Sequence, residues 1–249
     1  MNAVGIIPSR YASKRFPGKP LANLGGKSII QRVYEQAQKA LSTVYVATDD
    51  IRIEKEVKRF NGKVIQTSAD HQSGTDRIAE AIRRIEDKEQ MEWEIVINIQ
   101  GDEPFIQISQ IEEILNCFYQ PDTAIATLVK AIEKNEDVFN PNIPKVIVNK
   151  DMQAIYFSRS PIPYLRNAEK NEWHKKHLYF KHIGMYAYRK HVLQEITHLP
   201  SSALELAESL EQNRWIENNY KIRVNETDTE SIGIDTPEDL ERAKKYLKK

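Results

Sequence analysis

Arg10, Lys14, Arg15 and Lys19 follow an apolar run in the stretch IIPSRYASKRFPGKPL, residues 6–21. The first carboxylate of the chain comes only at Glu35, and residues 1–34 hold six cations and no acid. An acid-free basic loop leaving a strand is a place for an anion. Arg10, Arg15 and Lys19 supply charge and Ser13 a hydroxyl. A turn at Gly18 would expose backbone N–H groups. Together they suit a polyphosphate, whose many oxygens need many donors at once. A solvated basic loop is the plain alternative. Neither common phosphate loop is present: no G-x-G-x-x-G occurs, and a P-loop ending at GGKS (25–28) would need its first glycine at Leu21.

Two acids could complete such a site. EIVINI reads as a buried strand running into Gln100, Gly101, Asp102 and Glu103, and SIGI runs into Asp235. Carboxylates at strand ends are where Mg²⁺ ligands sit, the ion using one or two of them and completing its octahedron with substrate phosphates. Taken singly, Asp102 reads equally as a turn acid before Pro104, and Asp235 as an Asx turn before a cap at Thr236. The stretch ADHQSGTDR (69–77) precedes a helix that Ser73 or Thr75 would cap, its N-terminal N–H groups facing a base or an anion. Arg159, His182, Tyr186, Glu211 and Gln212 suit a hydroxylated acidic substrate, a cation for its carboxylate and polar groups for its hydroxyls. His182 as a satisfied strand histidine and Tyr186 as a core aromatic are the plain readings.

The elements that must position these groups follow from apolar periodicity. Strands are expected at 3–9, 44–50, 63–68, 94–102 and 124–132, and helices at 28–41, 51–60, 75–88 and 108–119. Short unbroken apolar strands alternating with helices predict a doubly wound, mostly parallel α/β sheet with helices on both faces. Residues 144–165 and 178–190, rich in β-branched and aromatic residues, read as antiparallel ribbons. They predict an inserted antiparallel subdomain at 134–190 within a single domain of residues 1–249. Helices resume at 191–198, 203–217 and 237–248, with a strand at 221–227. Ser202 with Glu205, and Thr236 with Asp239, are capping-box pairs, and Pro237 suits a first helical position.

Composition bounds the rest. Lys plus Arg and Asp plus Glu each number 36, so net charge is zero, which disfavours nucleic acid and anionic membranes as partners. The lone Cys117 excludes an intrachain disulfide and a multi-cysteine zinc site; it reads as a buried helix residue. No apolar run approaches the ~20 residues of a membrane span, and no signal-peptide pattern opens the chain. A cytoplasmic protein is expected.

IIPSRYASKRFPGKPL, DHQSGTDR, VINIQGDEPFI, FNPN, YFSRSPIPY, KHIGMYAY, LELAESLEQNRW and GIDTPEDLERA occur in that order across almost the whole chain. The set resembles the 3-deoxy-manno-octulosonate (Kdo) cytidylyltransferases. That resemblance implies a nucleotidyltransferase-type fold, Mg²⁺ dependence and a homodimer formed partly by the antiparallel region. It implies transfer of CMP from CTP to Kdo, releasing pyrophosphate, for lipopolysaccharide assembly. Carried over residue by residue, Arg10, Ser13, Arg15 and Lys19 match the triphosphate cradle, and Gln72 and Ser73 approach the cytosine. Asp102 and Asp235 match the metal-binding acids; with Lys19 they are the expected catalytic groups. Gln100, Arg159, His182, Tyr186, Glu211 and Gln212 match the sugar-acid pocket. Phe16 stands where the family often has Leu, and Lys181 where it often has Arg; residues 165–178 follow no family pattern and receive no site role. The alternatives are a sister enzyme activating 8-amino-Kdo or a sialic acid, and a non-catalytic nucleotide-binding regulator.

Overall fold

The computed structural model describes residues 1–13, 15–230 and 232–247. Lys14, expected to face solvent, lies outside them, as do Ser231 of the SIGI run and the final lysines, where the helix expected over 237–248 would end. The chain forms two compact units. One comprises Met1–Ile111, Arg189–Thr197 and Ser231–Lys249; the other comprises Glu112–Tyr188 and His198–Glu230. The antiparallel strands expected at 134–190 thus belong to a unit that begins earlier and takes in a later segment.

In chain order the first unit carries β1 (Ala3–Pro8), the small hairpin β2 (Asn23–Leu24) and β3 (Lys27–Ser28), and α1 (Ile29–Ala40). Then come β4 (Val44–Thr48), α2 (Ile51–Arg59), β5 (Val64–Gln66), α3 (Gly74–Glu89), β6 (Ile95–Asn98) and α4 (Ile108–Asn116), which runs five residues past Ile111. The second unit has β7 (Ile125–Ala131), α5 (Asn135–Phe139), β8 (Lys145–Val148), β9 (Ala154–Ser158), α6 (Trp173–Lys176) and β10 (Phe180–Arg189). Next follow α7 (Lys190–Ile196) in the first unit, α8 (Ala203–Glu208), α9 (Gln212–Glu217) and β11 (Ile222–Glu226) in the second, and α10 (Pro237–Tyr246) in the first.

In the first unit the order β6-β1-β4-β5 is parallel throughout. Val4–Ile7, all of β4 and all of β6 are buried at successive positions. Both faces are therefore covered, as unbroken apolar strands require. Burying each such Val or Ile side chain contributes about 1.5–3 kcal/mol. The helix starts follow their caps. Ser28 Oγ accepts from Gln31 N, Asp50 from Arg52 N, and Ser73 with Asp76 and Thr236 with Asp239 form reciprocal boxes.

In the second unit the parallel expectation gives way at β7. It runs parallel to β11 on one side and antiparallel to β10 on the other, because the ten-residue β10 returns along it. The order β10-β8-β9 is antiparallel, as the ribbon reading predicts. Two helix expectations need correction. Residues 117–119 close α4 as a 3₁₀ turn, with Cys117 buried there and its thiol pushed up to about 11 by burial. The helix expected over 203–217 is two: Ser209 takes a left-handed conformation (φ 51°) and α8 stops at Glu208. The carbonyls freed at that break are both used by Arg159, whose Nε donates to Glu208 O (2.7 Å) and Nη2 to Ser209 O (3.3 Å).

Residues 165–178 acquire a structural role. Trp173, with 1% of its surface exposed, packs with Ile132, Val138 and Tyr179, and Leu165 and Ala168 close over that cluster. Its indole N–H donates to Ala168 O at 3.1 Å.

Candidate functional site

In the first unit a cavity of about 300 Å³ opens beyond the carboxyl ends of β1 and β6. Such ends are the usual ligand positions of open α/β sheets. Arg10, Ser13, Arg15, Lys19, Gln72, Ser73, Gln100, Asp102 and Asp235 all line it. The basic loop between Pro8 and Lys19 is folded on itself. Ser9 N donates to Ala47 O (2.8 Å), Gly18 N to Tyr11 O (3.0 Å) and Phe16 N to Ser13 Oγ (3.3 Å). The Arg52 guanidinium lies 3.2 Å above the Tyr11 ring, an attractive cation–π contact. Gly18 also approaches that ring. It has φ 72°, and a Cβ there would meet the ring at 3.0 Å. Only glycine combines that dihedral with that approach.

Lys19 opens a 3₁₀ turn, Lys19–Leu21, and its side chain reaches both predicted acids. Nζ lies 2.6 Å from Asp102 Oδ2 and 3.1 Å from Asp235 Oδ1. Arg15 Nη2 lies 3.0 Å from the same Asp235 oxygen. The two acid-bearing loops are also joined through backbone: Ile234 N donates to Asp102 O at 2.9 Å. Asp239 fixes the Asp235 turn by accepting from Asp235 N (3.0 Å) and Thr236 N (2.9 Å). Burial alone would raise the Asp239 pKa; hydrogen bonds from Arg242, Asp235 and Thr236 outweigh it and hold the carboxyl below its usual range. Gly101 leaves room for β1, since a Cβ there would sit 3.1 Å from Pro8 O.

On the α3 side Ser73 Oγ caps the helix by accepting from Asp76 N (3.1 Å), and Gln72 Nε2 donates to Asp70 O (3.0 Å). Three lining residues with polar side chains, Ser9, His71 and Arg77, were missed by sequence reasoning. Ser9 Oγ is buried in the wall without a hydrogen-bond partner among the described residues. His71 pairs with Glu80. Arg77 is buried, one nitrogen 2.6 Å from Thr67 Oγ1 and another 2.9 Å from Asp49 Oδ1. The signal for Arg77 was its place four residues, one helical turn, after Ser73 in DHQSGTDR.

Of the expected sugar-pocket residues, Gln100 belongs to this first-unit cavity and the other five to the second unit. There, contacts link β9, β10 and α9. His182 packs edge-on against Phe157 and lies 5.2 Å from the Tyr186 ring, which meets Trp215 at 5.1 Å. Asn213, wholly buried, donates to Phe157 O and accepts from Phe157 N, holding α9 to β9. Thr127 Oγ1 donates to Met185 O (2.8 Å) and stands 3.0 Å from His182 Nε2. The hydroxyl has one proton, so Nε2 is the donor and Nδ1 is left as an acceptor. Burial pushes the His182 pKa down to about 3, so the ring is neutral and is not the cation for a carboxylate. Burial, reinforced by Tyr188 and Glu211, drives the Tyr186 phenol up, keeping it protonated.

Arg159 closes β9 with its guanidinium on three carbonyls, those of Glu208, Ser209 and Pro141 (3.0 Å). Glu208 spends its carboxylate elsewhere, accepting from Ser158 Oγ (2.5 Å), Tyr156 Oη (3.1 Å) and Arg159 N (2.9 Å). Lys145, fully buried, donates to Arg159 O (2.6 Å) and Asn140 O (2.9 Å), and burial brings its pKa down to about 8. Glu211 stands 3.5 Å from Arg214. Gln212 is buried with Nε2 unpartnered among the described residues.

Asp235, expected at a strand end, lies in the loop before α10, because the SIGI run pairs with no strand among the described residues. A parallel α/β unit whose basic first loop meets two acids beyond its strand ends has the layout of a nucleotide-binding class, and comparison with known proteins narrows it. The family model described as Cytidylyltransferase matches residues 4–222. The 3-deoxy-manno-octulosonate cytidylyltransferase of Bacteroides thetaiotaomicron is 59% identical, the alignment covering 100% of this chain and 99% of that one. Its counterpart from Parabacteroides distasonis is 57% identical over 99% and 98%. The solved structure of CMP:2-keto-3-deoxy-manno-octonic acid synthetase complexed with CTP superposes with a TM-score of 0.90 at 44% identity, covering 100% of this chain and 99% of that one. The chain belongs to the 3-deoxy-manno-octulosonate cytidylyltransferase family.

Proposed function

We propose that this chain transfers CMP from CTP to the anomeric 2-hydroxyl of Kdo, releasing pyrophosphate and supplying CMP-Kdo for lipopolysaccharide assembly. The observation that carries the reading is the first-unit cavity, where the basic loop and the acids Asp102, just beyond β6, and Asp235, in the loop before α10, converge on Lys19. Arg10, Ser13, Arg15 and Lys19 bind the triphosphate and neutralise the leaving pyrophosphate. Gln72 and Ser73, beside the α3 N-terminus, take the cytosine end. In the second unit Arg159 takes the sugar carboxylate, while His182, Tyr186, Glu211 and Gln212 orient its hydroxyls. Catalysis is then positioning plus charge stabilisation, and no side chain is assigned as base.

Asp102 and Asp235 are the proposed Mg²⁺ ligands. Their donor set fits: two carboxylates that already share one cation, with phosphates to fill the remaining positions. Among the described residues no group of three or more His, Cys, Asp or Glu could hold a metal without such help. When bound, Mg²⁺ supplies charge neutralisation at the α-phosphate and lowers the pKa of the attacking hydroxyl.

A homodimer is supported by the exposed Ile155, Tyr164, Leu178, Leu204 and Leu206, all of the second unit. A cytoplasmic location accords with the nucleotide substrate; no helix of the described residues is long and apolar enough to cross a membrane.

Incubation with CTP, Mg²⁺ and each of Kdo, 8-amino-Kdo and a sialic acid tests the reading through pyrophosphate release. Release is expected with Kdo in preference to the others. Preferential turnover of another sugar replaces Kdo as substrate, and CTP binding without sugar-dependent release overturns the enzyme reading. Gly18→Ala tests the cradle. A Cβ at positive φ costs about 1–2 kcal/mol and pushes on the Tyr11 ring. KM for CTP should rise roughly tenfold with the far-UV circular dichroism unchanged; an unaltered KM removes the loop from nucleotide binding.

A further inference from the structure

We infer that Lys19 is an exchangeable internal cation that keeps divalent metal off Asp102 and Asp235 until a nucleotide triphosphate draws its ammonium away. The inference rests on the reading of those acids as metal ligands. Lys19 Nζ stands at 2.6 and 3.1 Å from one oxygen of each acid, and Arg15 Nη2 adds a contact at 3.0 Å to the second. Two carboxylates thus face two cations in a neutral cluster. A Mg²⁺ ion needs oxygens at about 2.0–2.1 Å, so an ion shared by these two oxygens would overlap the ammonium and repel it. Ammonium and metal cannot share these two oxygens at the same time.

The lysine is built to move. Its backbone is pinned in the turn after Gly18, where Leu21 N donates to Gly18 O at 2.9 Å and Ala22 N to Lys19 O at 3.0 Å. Its four-carbon stem is intrinsically flexible, so the charge can shift while the backbone stays in place. Arg10 and Ser13 line the same cavity, so a triphosphate held there competes with the acids for the ammonium. An ammonium drawn onto phosphate oxygens leaves the carboxylates open to metal, and by linkage metal and nucleotide strengthen each other's binding equally. Lys19 therefore acts as a gate on metal occupancy as well as a phosphate ligand.

The test is Mn²⁺ binding without nucleotide, read from the free-ion electron paramagnetic resonance signal. Wild-type protein should bind weakly. Lys19→Met, which keeps the stem and removes the charge, should raise the affinity on the order of tenfold or more, the scale of removing a charge a few ångströms from a divalent ion. Arg15→Ala should raise it by a smaller factor; that side chain is 67% exposed, so the fold is not at risk even if Lys19→Met proves unstable. In wild-type protein, CTP without sugar should raise Mn²⁺ affinity, and Asp102→Asn should abolish that gain. Unchanged or weaker Mn²⁺ affinity in the folded charge-removal variants overturns the gate while leaving the metal ligands standing. A full CTP-dependent gain in Asp102→Asn overturns the metal reading, and the gate with it.

Discussion

Asp102→Asn should lower kcat by roughly 10²–10⁴-fold, the range for removing a charge that acts on the transition state. Asparagine keeps the shape of the residue and its backbone carbonyl, so the Ile234 N–H bond to Asp102 O persists. What disappears is the negative charge 2.6 Å from Lys19 Nζ. The resting protein loses a part-exposed ion pair, a small effect on stability, and the thermal midpoint should move by only a few degrees. Steady-state pyrophosphate release, measured beside a melting curve, separates the two effects. Wild-type turnover in the folded variant would remove Asp102 from the chemistry.

The second large effect falls on the sugar. His182 is neutral, and Lys145 is buried with its ammonium on two carbonyls. Arg159 is the proposed cation for the sugar carboxylate, and its guanidinium hydrogen-bonds three backbone carbonyls, none of which cancels its charge. Charge-assisted hydrogen bonds contribute about 1.5–3 kcal/mol, so Arg159→Ala should raise KM for Kdo by roughly 10–100-fold. The variant also loses its ties to Glu208 O and Ser209 O and should melt earlier. CTP affinity is the readout that a merely structural role would move. It should stay at the wild-type value, and an equal loss of CTP and Kdo binding would refute the assignment.

Much of this was legible in residue types. Caps at Ser202 and Thr236, and one at Ser73 or Thr75 that the structure places on Ser73, declared three helix starts, because each side-chain oxygen satisfies an N–H group only three residues away. The parallel unit followed from apolar runs too short and continuous to be half-exposed. Arg10, Arg15, Lys19, Asp102 and Asp235 stood out as a charge imbalance: cations without acids at one end, strand-end acids far down the chain. The meeting of the two acids at the Lys19 ammonium was not legible, since Lys19 is 83 residues from Asp102 and 216 from Asp235. Local pattern carries no information about such pairs. The break at Ser209 escaped for a related reason. No glycine or proline marks it, and the carbonyls that reward it are used by Arg159, fifty residues earlier. The antiparallel side of β7 was hidden because burial on both faces looks the same in either strand direction.

The backbone bond from Ile234 to Asp102 has a consequence for how the protein comes into being. One half of the acid pair is carried just ahead of the last helix, while the cation it meets lies near the start of the chain. A protein made from its N-terminus folds its basic loop and its first strands long before Asp235 exists. The ion pairs that Asp235 makes with Arg15 and Lys19 have the highest sequence separations in the site, and such pairings form late. An unfinished chain therefore carries a patch of uncompensated positive charge and no chemistry. The acid pair is complete only when the segment that carries Asp235 docks beside Asp102.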